Sequence, residues 1–571
     1  MASPSMASSF FNGERAIVLV FIFLVHFSTP LPLLREGFAL SLLALAALAV
    51  EISADDYDSL AMFKTRPGSS SGILLGAVTL PALMITRLIQ LLRAFSSHGI
   101  GIEEFEYLKM QYWATFFCCF SVILFLCLVI WCSPYNACSS SLHSIWDLKI
   151  GSIRIILYAA LCCVSLAMIS YYYGVFMALK PLWLLFHGLA AVKLIQQLLK
   201  TFPSCASIGE ALLVTGGLVL YFGDMLTFTI AKIHGYLVSS ELVLLPGIKR
   251  NKISTIIQGL LLGLLLFPVV FKFVLQIWEW LRSSTYSEER TNNEFGKSLI
   301  FYATLTFIVF VIIPSWMQFI QDFHVHPYLW VFMFVFSEPL KRLTLCLYWM
   351  GVTYASVMRF YNISKNSKIE RILLRKYYHL MAVSMFLPAL IFQPKFLDLA
   401  FGAALAVFLA LESIRVWRVW PLGQLVHQFM NAFTDHRDSD LLIVSHFSLL
   451  LGCALPIWMS SGYNDRPLAP FAGILSLGIG DTMASVVGHK YGVLRWSKTG
   501  KKTIEGTAAG ITSVLAACSV ILPLIASTSY ILSQHWISLL LAVTVSGLLE
   551  AYTTQLDNAF IPLIFYSLLC L

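Results

Sequence analysis

Residues 508–549 read AAGITSVLAACSVILPLIASTSYILSQHWISLLLAVTVSGLL and contain no Asp, Glu, Lys or Arg. A helix that crosses a bilayer needs about 20 mostly apolar residues, so this stretch predicts two such helices. Other long charge-free runs lie at 16–34, 67–86, 110–132, 155–179, 253–271, 298–321, 343–358, 377–394 and 441–464, with shorter runs between them. Only helices or closed barrels satisfy the backbone in lipid, and uniformly apolar runs indicate helices. The pattern predicts an all-α polytopic integral membrane protein with roughly 14–17 transmembrane helices.

Composition excludes two classes of protein. Of the 571 residues, 58% are hydrophobic and 12% are charged, with a mean hydropathy of +0.79. A soluble chain carries about 25% charged residues. A soluble enzyme and a disordered scaffold are therefore ruled out. The net charge of +8 suits anionic lipid or phosphate-bearing ligands and proves neither.

Loop charge predicts the orientation of the chain. The loops 359–376 and 489–507 carry six and five basic residues respectively, each against one acid. Basic loops favour the cytosolic side, and the four apolar runs between these two loops allow both to lie there. The segments 413–440 and 550–557 are then also cytosolic.

We expect residues 1–355 to form a multi-span membrane region and 356–571 to form the catalytic membrane domain.

The segment 478–507 reads GIGDTMASVVGHKYGVLRWSKTGKKTIEGT. Asp481 lies in an apolar, small-residue stretch, where a carboxylate is costly without a partner or a function. Glycines and lysines follow it, and backbone amides with ammonium groups make a cradle for a polyphosphate. The alternative is an ordinary basic cytosolic loop with a helix-packing carboxylate, and composition does not decide between the two. The segment does not match the P-loop pattern.

Three further polar sets are candidates for function. Asp435, Asp438 and Asp440 lie in NAFTDHRDSD and suit either a divalent cation or a solvated linker. Arg375, Lys376 and His379 lie in RKYYHL, where a helix enters the membrane. They suit a phosphate contact, a proton carrier or simple interfacial anchoring.

The third set is a polar island, EAYTTQLDNAFIPL at residues 550–563. Asn558 is expected to cap a helix whose N-terminus points at an anion. A plain turn between two helices is the alternative.

At these residues the sequence resembles the eukaryotic dolichol kinase family. The resemblance rests on GDTMASVVGHKYG, TGKKTIEGTAAG, RKYYH, TDHRDSD and QLDNAFIPL, in the family's order, and covers residues 356–571. Residues 1–355 agree only in being a multi-span membrane region. Phosphatidate cytidylyltransferases share the Lys-Lys-Thr-x-Glu-Gly pattern, but their closing Gly-His-Gly-Gly motif is absent here. That absence favours phosphoryl transfer over nucleotidyl transfer.

The resemblance implies transfer of a phosphate from CTP to dolichol at the cytosolic face of the endoplasmic reticulum membrane, giving dolichyl phosphate for protein glycosylation. It implies Mg²⁺ or another divalent cation held by Asp481 and Asp557, and no nucleic acid partner. Lys502 and Asp481 are expected to act in catalysis, with Asp438 or His379 as proton acceptor. CTP is expected to contact Gly480, Thr482, Lys498, Gly500, Lys501, Thr503, Glu505, Gly506, Thr507 and Asn558.

Two other functions stay open at this point. A polytopic lipid transporter also shows many spans and intramembrane charge, but it leaves KKTIEGT unexplained. A kinase for another prenyl alcohol, such as phytol, is the second alternative, and the long N-terminal half weighs against it.

Overall fold

The computed structural model describes residues 12–57, 60, 63–98, 102–132, 175–237, 250–283, 293–366, 371–431, 442–496, 502–526 and 536–571. Within these ranges the chain is helical almost throughout, and the only β-type pairing is an isolated antiparallel bridge between Arg495 and Thr503. The prediction of an all-α fold is confirmed.

The helices of the first part of the chain surround one buried helix. They are α1 (Gly13–Phe27), α2 (Leu34–Tyr57), α3 (Ile73–His98), α4 (Ile102–Cys132), α5 (Val175–Thr201) and α6 (Ile208–Leu237). These helices belong mainly to a compact unit formed by Met1–Thr227 and Leu237–Gly247. Helix α3 is buried at every residue from Ile73 to Leu91, because α1, α2 and α4 all pack against it.

Buried ion pairs hold this first unit together. Arg15 Nε on α1 lies 2.7 Å from Glu51 Oε1 on α2, and the second oxygen of Glu51 accepts the Leu74 backbone N–H at 2.6 Å. Ser207 and Glu210 cap the start of α6 reciprocally, since each accepts the other's backbone N–H. These contacts satisfy charges that would be costly if left unpaired in an apolar interior.

The second compact unit comprises Phe228–Tyr236 and Ile248–Leu571. Its earlier helices are α7 (Lys252–Ser283), α8 (Asn293–Phe307), α9 (Ile313–Ile320), α10 (Pro327–Phe336) and α11 (Pro339–Asn366). A π-helical turn at Ile308–Ile312 joins α8 to α9. The later helices are α12 (Arg371–Phe392), α13 (Pro394–Trp417), α14 (Gly423–Asn431), α15 (Val444–Ser460), α16 (Thr482–Tyr491), α17 (Ile504–Ala526), α18 (Trp536–Tyr552) and α19 (Asp557–Cys570).

Helix α19 forms the centre of the C-terminal part, and every residue from Phe560 to Cys570 is buried. Helices α15 and α18 pack against it, and α17 packs on α18 and on α16. A π-helix at Ile474–Asp481 leads directly into α16. The charge-free stretch that predicts two helices forms α17 and α18, so that prediction is confirmed.

The chain is a multi-pass membrane protein. Among the described residues, nine helical segments are long and apolar enough to cross a bilayer, and five shorter apolar helices accompany them. The predicted run at 155–179 lies mostly outside the described residues, so the full number of spans stays a prediction. The functional division after residue 355 also stays a prediction.

Candidate functional site

Three ionisable side chains meet where α12 packs against the π-helix that precedes α16. Lys376 Nζ lies 2.5 Å from both carboxylate oxygens of Asp481. His379 Nδ1 lies 3.0 Å from Asp481 Oδ2 and 3.1 Å from the Leu477 carbonyl oxygen. Lys376 and His379 are three residues apart and therefore share one face of α12. Only 5% of the Asp481 side chain is exposed, so its charge depends on the Lys376 ammonium for compensation, with the His379 ring as a further polar neighbour.

A glycine lets α12 approach the π-helix closely enough for these contacts. A methyl group at Gly478 would lie 2.2 Å from Val383 Cγ2 on α12. A larger residue would therefore separate the two elements and lengthen the contacts to Asp481.

Small residues likewise bring α16 and α17 into backbone contact. A methyl group at Gly506 would lie 2.5 Å from the Ala484 carbonyl oxygen and 3.0 Å from Gly488 Cα. One at Gly510 would lie 3.0 Å from the Gly480 carbonyl oxygen. Small residues spaced by four on both partners are the usual means of close helix packing in membranes. In the described structure these glycines therefore have a packing role, whatever else they contact.

The residues between α16 and α17 form a short antiparallel pairing around the start of α17. The Ile504 N–H donates to the Leu494 carbonyl at 2.8 Å, and the Glu505 carboxylate accepts the Leu494 N–H at 3.0 and 3.2 Å. Thr503 Oγ1 accepts the Gly506 N–H at 3.2 Å and caps the helix. Thr503 and Glu505 thus fix the path of the chain that leads into α17.

An indole anchors the same loop to neighbouring helices. Trp496 Nε1 donates to Thr507 Oγ1 at 2.9 Å, and the Trp496 ring lies 5.2 Å from the Tyr552 ring at the end of α18. The hydroxyl of Thr507 itself donates to the Thr503 carbonyl at 3.1 Å. Thr507 therefore holds the loop in position.

The Lys502 ammonium lies at the junction between α18 and α19. Its ammonium donates to the Glu550 carbonyl oxygen and lies 3.9 Å from Asp557 Oδ2. The Lys502 side chain is 38% exposed, which leaves room for an incoming anion. Helix α19, which begins at Asp557, packs against the π-helix that ends at Asp481. The Lys502–Asp557 pair and the Lys376–Asp481 pair therefore lie on elements in contact, and we call them one charged cluster.

The structure brings together several of the described residues that the sequence singled out. Asp481, His379, Lys502 and Asp557 belong to the charged cluster, and Thr482 lies beside it, with Oγ1 3.5 Å from the Lys376 carbonyl oxygen. Predicted residues that lie outside the described ranges are Asp435, Asp438, Asp440, Lys498, Gly500 and Lys501.

The expected cap at Asn558 is wrong. The N-cap of α19 is Leu556, and no side chain caps that end. Asn558 lies in the first turn, where its carbonyl oxygen would be 2.3 Å from a methyl group at Gly452. The helix begins earlier than the sequence suggests because Asp557 already has helical backbone.

Lys376 is the residue whose role sequence reasoning did not resolve. The sequence indicates only an interfacial anchor, a phosphate contact or a proton carrier, whereas the structure makes Lys376 the direct partner of Asp481. The signal was available in principle, because an intramembrane carboxylate calls for a cation at similar depth. With two basic residues adjacent at 375–376 and several candidates elsewhere, the pairing itself was not deducible.

Asp481 does not fit a magnesium site as its side chain stands. Both of its oxygens contact an ammonium group, and one also contacts an imidazole nitrogen. Within the described ranges, no group of three His, Cys, Asp or Glu side chains comes close enough to hold a metal ion. Mg²⁺ bound with nucleotide usually takes only one or two protein carboxylates and several phosphate oxygens. Asp557 is the predicted carboxylate that remains compatible with such a site.

Comparisons with known proteins point to one family. A family model for dolichol kinase matches residues 182–492. The chain is 62% identical to the protein named dolichol kinase EVAN of Arabidopsis thaliana over 567 residues, which cover 99% of both chains. It is 33% identical to the dolichol kinase of Homo sapiens over 391 residues, 65% of this chain and 66% of that one. It is 31% identical to the dolichol kinase of Saccharomyces cerevisiae over 240 residues, 42% of this chain and 43% of that one. No solved structure matches the chain.

Proposed function

Because this chain belongs to the dolichol kinase family, we propose that it transfers the γ-phosphate of CTP to the hydroxyl group of dolichol. The product, dolichyl phosphate, would serve protein N-glycosylation and related glycan pathways. We place the enzyme in the endoplasmic reticulum membrane with its site facing the cytosol, in accord with the basic loops that flank the site residues.

The observation that carries this proposal is the charged cluster formed by Lys376, His379, Asp481, Lys502 and Asp557. It lies where membrane helices α12, α17, α18 and α19 converge, so it suits a reaction between a lipid alcohol and a water-soluble phosphate donor. Phosphoryl transfer needs in-line positioning and charge stabilisation more than covalent chemistry from the protein. A cluster with two lysines and a buried histidine can supply both.

The nucleotide phosphates are assigned to the start of α17. Lys502 lies two residues before the first residue of the helix, and the positive end of a helix dipole favours an anion. The bonds of Thr503, Glu505 and Trp496 hold this end in one conformation, which lowers the entropy cost of binding. Lys498, Gly500 and Lys501 are proposed to contact the same phosphates on the basis of the resemblance.

A divalent cation stays part of the proposal and would enter with the nucleotide. It would neutralise phosphate charge, with Asp557 as the protein carboxylate nearest to Lys502 among the predicted metal ligands. Asp481 is assigned a different role below.

Phosphate transfer by the purified full-length chain in lipid nanodiscs tests the proposal. Dolichol is supplied with γ-labelled CTP, ATP, GTP or UTP and Mg²⁺, and labelled lipid is separated by chromatography. We expect labelled dolichyl phosphate from CTP, with transfer at CTP concentrations below the KM lowered about 10- to 100-fold in Lys502→Ala. Transfer to phytol but not to dolichol would identify a different prenol as acceptor. No transfer from any nucleotide by folded protein would refute the kinase assignment.

A further inference from the structure

We propose that His379 accepts the proton of the substrate hydroxyl at Nε2, and that Lys376 and Asp481 are positioning residues that hold its ring in the required tautomer. This inference rests on the proposed kinase function and deepens it. It assigns a role to Lys376 that the sequence motifs do not give, and it replaces the expected metal role of Asp481.

The contacts of His379 determine which ring nitrogen carries hydrogen. Nδ1 lies within hydrogen-bond distance of two oxygens, the Leu477 carbonyl at 3.1 Å and Asp481 Oδ2 at 3.0 Å. A carbonyl oxygen only accepts, and an ionised carboxylate only accepts. Nδ1 must therefore be the protonated nitrogen. In a neutral imidazole the lone pair is then on Nε2, on the opposite side of the ring.

Lys376 ensures that Asp481 acts as an acceptor. Its ammonium contacts both carboxylate oxygens at 2.5 Å, and an ammonium group has only donors to offer. An unpaired carboxylate this deeply buried would be strongly unfavourable, and the pair with Lys376 offsets that cost. Asp481 is thus available to receive Nδ1–H and to stabilise the ring when it becomes positively charged, as the carboxylate does in hydrolase triads.

These same contacts disfavour a metal ion on Asp481. A cation bound there would have to displace the Lys376 ammonium and compete with the His379 ring. The metal cation and the displaced Lys376 ammonium would then both lie near the buried His379 ring. The described geometry therefore separates the two predicted tasks: proton acceptance belongs to the α12 side of the cluster, and phosphate binding belongs to the Lys502 side.

The proposed step is balanced. The hydroxyl O–H bond breaks and its proton moves to His379 Nε2, while the oxygen forms a bond to the γ-phosphorus. The bond between that phosphorus and the oxygen bridging to the β-phosphate breaks, and the nucleoside diphosphate leaves with the bond's electron pair. The imidazolium then returns its proton to water.

Two substitutions at one position test the base. The amide nitrogen of Asn occupies the place of Nδ1, so His379→Asn keeps a donor for Leu477 and Asp481 but has no base. His379→Gln places its amide near Nε2 instead. We expect both variants to lower kcat about 10²- to 10⁴-fold, the usual contribution of a general base, with the KM for CTP changed by no more than about twofold. Wild-type kcat in His379→Asn would show that the ring has only a structural role and would overturn the proposal.

Asp481→Asn tests the positioning role against the metal role. An amide can donate to the ring and favour the wrong tautomer, so we expect a comparable fall in kcat. A second readout, independent of turnover, is binding of Mn²⁺ in the presence of CTP, followed by electron paramagnetic resonance. We expect unchanged Mn²⁺ affinity in Asp481→Asn. A clear loss of Mn²⁺ affinity would make Asp481 a metal ligand and refute its assignment here.

Lys376 is tested by charge. Lys376→Met removes the partner of Asp481 and should lose most activity, whereas Lys376→Arg keeps the charge and should restore part of it. Equal loss in both variants, with both folded, would contradict a role through Asp481.

Ser384→Ala is the matched control. It lies on the same helix, and its exposed hydroxyl donates only to the Met381 carbonyl at 2.8 Å in the described contacts. It should retain wild-type kcat. Size-exclusion profiles and melting temperatures establish that each variant is folded. Wild-type protein must first transfer phosphate to dolichol: its failure would refute the proposed function itself, whereas active wild type with an active His379→Asn variant would refute only this inference.

Discussion

Replacement of Gly506 by Ala should destabilise the second unit by separating α16 from α17. The added methyl group would lie 2.5 Å from the Ala484 carbonyl oxygen and 3.0 Å from Gly488 Cα. Both neighbours are backbone atoms, so neither can move aside without shifting a helix. Overpacking of this kind costs about 1–3 kcal/mol, and the gain from replacing a helical glycine offsets up to about 1 kcal/mol of it, so we expect a net loss of about 1–2 kcal/mol.

Thermal unfolding of the purified protein in detergent or nanodiscs measures this effect. With about 2.1 cal/mol/K of unfolding entropy per residue, a net loss of about 1–2 kcal/mol should lower the melting temperature by about 1–2 °C in a chain of this size. Gly351→Ala is the control, because Gly351 is also helical but has nothing within 4 Å of the added methyl group. That variant should melt at or slightly above the wild-type temperature.

The same pair of variants separates two explanations of the glycine. If Gly506 serves helix packing, Gly506→Ala loses stability together with CTP affinity. If Gly506 serves only close approach of a phosphate, the KM for CTP rises while the melting temperature stays that of wild type. An unchanged melting temperature would therefore refute the packing explanation, whatever happens to activity.

Substitutions at three other positions test contacts within the second unit. Thr503→Ala removes the cap on the Gly506 N–H and should cost about 1 kcal/mol of stability, whereas Thr503→Ser should retain it; a melting curve of each would show whether the cap matters. Lys502→Met should raise the KM for CTP about 10- to 100-fold, because it removes a charged hydrogen bond worth about 1.5–3 kcal/mol. Lys502→Arg should recover part of the lost affinity. An unchanged KM in steady-state kinetics would place the phosphates elsewhere. Arg415→Met leaves the buried Glu412 carboxylate without the Arg415 guanidinium and should cost about 3–5 kcal/mol of stability. Adding Glu412→Gln should restore much of the yield of folded protein. Equal yields of the single and double variants would argue against a stabilising ion pair.

Sequence patterns predicted the fold class because the physics behind them is simple. Lipid admits few ways to satisfy a backbone, so 42 consecutive uncharged residues at 508–549 had to form helices. The π-helix at Ile474–Asp481 was not predictable in the same way. It depends on the packing of α12 and α17 around it, and apolar composition alone does not distinguish it from an α-helix.

The site was only partly predictable. An isolated carboxylate in an apolar segment singled out Asp481, but its partner lies 105 residues earlier in the chain. The glycines of 478–507 predict a phosphate cradle, although Gly506, together with Gly510, also has the four-residue spacing of close helix packing. Both interpretations use the lack of a side chain, so the sequence could not choose the neighbour that requires it.

The backbone contact between α16 and α17 has a mechanical consequence. Without side chains between them, the two helices cannot slide past each other unless the contact at Gly506 breaks. We therefore expect a displacement at the start of α17, where the donor's phosphates are proposed to bind, to pass directly to the start of α16 and so to Asp481. Arrival of the phosphate donor would then adjust the hydrogen bond that orients His379. The acceptor hydroxyl would be activated when the donor is in place, and water would not be activated when the donor is absent.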